Sequence, residues 1–188
     1  MTAMTTTGRH RATADTFTRV AEGVAEWDAP TPVKEWTARD VVTHLISWLS
    51  GLLSQADVVL PTGPSPAVDP VGAWRHHTRA VHEVLTDPDV AARMIPLPGG
   101  AKSVTAVIAD YYEPDVFMHA WDLARASGQD FHLDAARCEE LVTGMASVSD
   151  LIRGSGQFGD QVAVPDDAPA EDRLIGFIGR DPRWRSGR

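Results

Sequence analysis

Apolar residues recur along this chain at spacings of three and four, the period of helices that bury one face. The first such run lies between Arg11 and Glu26, where Ala14, Phe17, Val20, Ala21 and Val24 form a stripe. Pro30 and Pro32 forbid its continuation through WDAPTPVKEW. Thr37-Ala-Arg-Asp40 then reads as a capping box opening a leucine- and valine-rich helix from Val41 to Leu60, closed by Pro61. Asp69-Pro70 supplies a cap followed by a first-turn proline. The helix it starts carries Trp74, His77, Val81, Val84 and Leu85 on its apolar stripe, and Asp87-Pro88 marks its end. Ile95 to Lys102, IPLPGGAK, reads as loop or a short extended piece. Ser103 caps a long helix from Val104 to about Ser127, which Gly128 closes. Asp134 caps another, running to Arg153. A glycine-rich connection leads to a short last helix that starts near Pro169, has Glu171 and Asp172 in its first turn, and stops at Gly179.

No set of strands and no internal repeat emerges. The pattern predicts an all-α fold, a bundle with crossover connections plus a short C-terminal helix. A length of 188 residues fits a single domain, 1–188, with the polar stretch 1–9 expected to be disordered.

Composition narrows the partners. The formal net charge is -9, and an acidic surface repels phosphate backbones, so nucleic acid is not expected. No window approaches a membrane span, and the N-terminus lacks the apolar core of a signal peptide. A single cysteine, Cys138, cannot form an internal disulfide. These features predict a cytoplasmic protein. Cys138 has Arg137 as its basic neighbour and no histidine beside it, so it reads as a structural thiol rather than a nucleophile.

The chemistry concentrates on the fourth long helix, in YYEPDVFMHAWD. Asp115 and His119 are four apart, which places them one turn apart on one face. Ile108, Tyr111, Asp115, His119, Asp122 and Ala126 lie on the same stripe. On the second helix Val41, His44, Leu45, Trp48 and Leu52 form a stripe facing the core, so His44 points inward. Two histidines and a carboxylate from facing helices can hold one divalent ion and leave coordination positions open. The same polar stripe is equally satisfied by a buried hydrogen-bond network, since a histidine on an apolar face is more often a paired core residue than a ligand. Asp122, three residues after His119, can orient a metal-bound histidine or pair with Arg125. Trp121 and Leu123 read as core, as does Trp48. His77 can line the site, His76 and His82 read as solvated, and Tyr111 is a candidate hydrogen-bond donor. Pro114 removes a backbone donor inside the helix and should kink it just before Asp115. The run GSGQFG at 154–159 matches a dinucleotide fingerprint by letter, but it follows a helix rather than a strand and reads as a flexible connection.

Three segments resemble one family: WDAPTPVKEWTARDVVTHLISW at 27–48, HAWDLARASGQ at 119–129, and the tail VAVPDDAPAEDRLIGFIGRDPRW at 162–184. They are similar to the short, single-domain, DinB-like proteins related to the N-terminal domain of mycothiol-dependent maleylpyruvate isomerase. The resemblance implies a DinB-like four-helix bundle with a metal at one end, held by His44, Asp115 and His119. The isomerase's acidic ligand is a glutamate, one methylene longer than Asp115. Zinc or nickel is the ion expected in such an open site, and the resemblance implies mycothiol as a cosubstrate presented as a thiolate for transfer or isomerisation of a small molecule. A non-catalytic helical module, as a monomer or a homodimer, and a metal-dependent hydrolase using a bound water are the alternatives.

Overall fold

The computed structural model describes residues 4–146 and 158–187. Four long helices form the core: α1 (Thr6–Glu22), α2 (Ala38–Leu53), α3 (Pro70–Thr86) and α6 (Glu113–Ala126). Between α3 and α6 lie two single-turn helices, α4 (Pro88–Ala91) and α5 (Val104–Val107). Two more, α7 (Ala135–Ala146) and α8 (Ala170–Phe177), follow. The chain is thus helical as its periodicity predicts. The one sheet among the described residues is a two-stranded antiparallel hairpin, β1 (Met94–Ile95) and β2 (Lys102–Ser103). It turns at the glycine pair of IPLPGGAK, where Gly99 and Gly100 take positive φ.

α1 and α2 each pack against both α3 and α6. α1 and α2 therefore occupy opposite corners, as do α3 and α6, and the connection 23–37 crosses the bundle. The core between them holds Phe17, Val41, Leu45, Leu49, Trp74, Ile108, Tyr112, Val116 and Leu123, all fully buried. A second cluster joins α7 and α8 to the outer face of α6 through Met118, Trp121, Cys138, Leu174 and Ile175. α6 is thus covered on nearly every side.

The predicted caps are present. Thr37 and Asp40 form the reciprocal capping box of α2. Asp69 caps α3 ahead of Pro70, and Ser103 caps α5. α1 begins earlier than its apolar stripe indicates, at Thr6 rather than Arg11, so part of the stretch 1–9 expected to be disordered is helical. Thr5 accepts the Gly8 N–H, and the helix carries His10 into the interior. α2 ends earlier than Leu60, at Leu53. It tightens into a 3₁₀ turn and stops at Asp57, whose φ is positive. The expected extension of α7 to Arg153 and most of the glycine-rich run 154–159 lie outside the described residues.

Both glycine stops close as Schellman motifs, in which two amides cap orphan carbonyls of the last turn. After α6, Gly128 N–H reaches Arg125 O and Gln129 N–H reaches Ala124 O. After α8, Gly179 N–H reaches Gly176 O and Arg180 N–H reaches Ile175 O. The two differ in their surroundings. A Cβ on Gly128 would meet nothing within 4 Å, whereas one on Gly179 would lie 2.7–2.8 Å from the Gly159 backbone. Gly128→Ala should therefore cost only the left-handed penalty, about 1–2 kcal/mol, and Gly179→Ala clearly more. Urea unfolding of the two variants checks the order, and equal losses would contradict the close contact with Gly159.

Candidate metal centre

Pro114 cannot donate a backbone hydrogen bond, so an α-helix running through it must adjust in the preceding turn. The adjustment is a π segment, Ile108–Tyr112, in which Glu113 N–H reaches back five residues to Ile108 O. The π turn joins α5 to α6. It adds one residue to the turn and shifts the face presented by everything before it. Tyr111, expected on the polar stripe, is turned out and is 45% exposed beneath Lys102. Tyr112 takes the inward place and is fully buried. This corrects the stripe read for an uninterrupted helix. Downstream of Pro114 the α spacing resumes, and Asp115, His119 and Asp122 share a face as expected.

His44, Asp115 and His119 come together, with one ligand atom from each within 4.8 Å of the others. His44 Nε2 lies 3.1 Å from Asp115 Oδ2, and His119 Nε2 lies 3.5 Å from Asp115 Oδ1. Donors about 2.0–2.2 Å from one tetrahedral ion stand roughly 3.3–3.6 Å apart. The shorter aspartate therefore reaches both histidines, His44 through one oxygen and His119 through the other, at separations close to that range. Trp48 Nε1–H donates to Asp115 Oδ2 at 2.9 Å, so this tryptophan does more than pack. Burial pushes the Asp115 carboxyl toward a higher pKa. The His119 charge and the His44 and Trp48 hydrogen bonds outweigh it and hold the group below its ordinary value.

The two histidines differ in setting. α2 turns Val41, Val42, Leu45 and Leu49 fully inward and leaves His44 and Trp48 on the flank of that face. The His44 side chain is 32% exposed, that of His119 only 5%. His119 Nδ1 meets Asp122 Oδ2 at 2.9 Å. A carboxylate can only accept, so Nδ1 carries the proton, and in the neutral ring Nε2 is the nitrogen left with a lone pair on the side of Asp115 and His44. Asp122 pairs with His119 and Arg180 rather than with Arg125, whose ion pair is to Glu171.

Sequence reading missed Trp36, Tyr112 and Arg180. Trp36 sits just before the Thr37 cap, stacked on His119 at 5.7 Å between ring centroids and tilted over His44 at 4.9 Å. Its location in a proline-broken loop hid it, because no periodicity points there. Tyr112 meets His77 Nε2 through its hydroxyl at 2.9 Å and stacks on His10. His77 is buried in this network behind the centre rather than lining it. His76 and His82 are half-buried, the first against Pro61 O, the second against Arg11. Cys138 is a buried free thiol, its pKa pushed up to about 12 by burial and nearby carboxylates, which suits its structural reading.

A family model described as the mycothiol maleylpyruvate isomerase N-terminal domain matches residues 10–124, more than half of the chain. The chain belongs to that family. It is also 31% identical over 180 residues to uncharacterized proteins from two strains of Mycobacterium tuberculosis, covering 93% of this chain and 97% of each relative. No solved structure gives a significant match. Among the described residues no helix is long and apolar enough to cross a membrane.

The histidines behind the centre set an acid limit. Burial lowers the pKa of His10 to about 4 and that of His77 to about 3, from 6.5. Below pH 6.5 the unfolded chain binds protons that the folded chain refuses, so stability falls as pH drops from 6.5 toward 4. His10→Phe should flatten that fall in denaturant unfolding measured across this range, and an unchanged slope would contradict it.

Proposed function

We propose that this protein binds one divalent ion through His44, Asp115 and His119 and uses it on a small-molecule substrate. The single observation carrying this is the convergence of the three donors, whose ligand atoms lie within 4.8 Å of one another, with His119 Nδ1–H held by Asp122. Zinc or nickel suits two imidazoles and a carboxylate. Family membership supports mycothiol as a cosubstrate of a transfer or isomerisation reaction. A bound ion would lower the pKa of such a thiol. The chain's own residues divide the remaining work. Trp36 and Trp48 flank the ligands with aromatic surface, Asp115 sets the spacing of the two imidazoles, and the exposed edge at His44 leaves an approach from solvent.

One observation favours a second reading. His44 and Trp48 already hydrogen-bond the Asp115 carboxylate, and a protonated His119 would pair with its other oxygen, so the group also works as a polar network in a non-catalytic module. Metal content separates the two. Wild-type protein purified without chelators should hold zinc or nickel stoichiometrically, and His119→Ala should not. An ion at about 100 times its Kd adds about 2.7 kcal/mol of stability. For a chain of this size that is a rise in Tm of about 5–10 °C. Equal trace metal in both proteins, with no shift in Tm, would leave the network reading standing. Adding mycothiol to the cobalt-substituted protein should then change its visible spectrum. No change would favour a hydrolase using water in place of a thiol.

A further inference from the structure

We infer that Arg180, in the C-terminal segment, is a positioning residue for His119. The proposal rests on the reading of His119 as a ligand, yet every contact that supports it is independent of any ion. Asp122, which receives the His119 Nδ1–H, is fully buried in α6. Its two oxygens face one guanidinium: Arg180 Nε lies 3.4 Å from Oδ1, and Nη2 lies 3.3 Å from Oδ2. A planar fork across both oxygens opposes rotation of the carboxylate, which a point charge would not do. The charge of Arg180 and the hydrogen bond from His119 hold the Asp122 carboxyl below its ordinary pKa against the opposing effect of burial.

Arg180 is itself held. Only 8% exposed, it donates from its remaining nitrogen, Nη1, to Ile178 O at 2.7 Å. Its backbone N–H closes the Schellman motif of α8, so the helix stop fixes where the side chain starts. Gly179, pressed against Gly159, leaves that turn no room to slide. Arg180 lies beyond residues 10–124, the stretch that matches the family model. The matched stretch thus carries the ligands and Asp122, while the tail supplies the group that holds Asp122 still.

A purely structural latch would tie the tail to α6 without acting on His119. The same tail contains one. Glu171 bonds Trp121 Nε1, Arg125 and the Leu133 N–H, and it touches none of the three ligands. Comparing the two residues therefore isolates the positioning role.

The test uses the full-length chain with ¹⁵N-labelled histidine, kept free of metal. The His119 Nδ1–H proton should exchange slowly in wild type and at least about tenfold faster in Arg180→Met, with Glu171→Gln close to wild type. Zinc titration of the same proteins should show Arg180→Met weaker by about tenfold or more, in the range found when a group orienting a ligand is removed. Arg180→Lys should fall between the two, and it decides the matter alone if Arg180→Met does not fold. Wild-type exchange and affinity in a folded Arg180 variant, or an equal loss in Glu171→Gln, would overturn the inference. Wild type that binds no zinc but shows the Arg180-dependent exchange would remove the metal reading and leave the positioning role intact.

Discussion

A proline in the middle of a long helix sets the geometry on which the rest of this protein depends. Pro114 has no N–H to give, and the chain answers with a π turn just before it rather than with a break. That one extra residue decides which tyrosine enters the core. It also frees the next turns to resume α spacing, so that Asp115, His119 and Asp122 fall on one side of α6. Had the helix kinked open instead, the carboxylate that bridges α2 and α6 would have lost its place against His44.

Much of the fold was legible because the relevant signals are local. Caps at Thr37, Asp69 and Ser103, and stops at Gly128 and Gly179, each depend on a few neighbouring residues and on backbone groups that must be satisfied. His44, Asp115 and His119 were legible for a related reason: helical spacing places them, and the apolar stripes orient them. What stayed hidden depends on distant partners. Nothing near Trp36 announces that it stacks on a histidine of another helix. Arg180 looks like any cation after a helix stop until Asp122 appears across from it. Tyr111 and Tyr112 exchanged places because the inserted residue of the π turn is invisible to a period of 3.6.

α6 organises the molecule more than any other element. One side packs into the bundle through Val116, Ala120 and Leu123, another meets α7 and α8 through Met118 and Trp121, and its polar residues occupy the seams. Glu113, almost fully buried at its start, accepts from Thr13 of α1 and pairs with Arg137 of α7. A helix buried so completely can carry charged groups only where each has a partner. Here those partners come from three different helices and the tail.

The Asp122–Arg180 pair has a consequence for how the protein comes apart. The two hydrophobic clusters meet only along α6 and at Phe131, and a layer like α7–α8 would ordinarily be free to peel away on its own. Peeling it here would strip the counter-charge from a carboxylate that has no water around it. Taking the guanidinium from a carboxylate that stays buried costs about 3–5 kcal/mol, comparable with a good part of a typical domain's whole stability. The pair thus acts as a thermodynamic rivet: partial opening is penalised, and the bundle and its outer layer should melt as one cooperative unit.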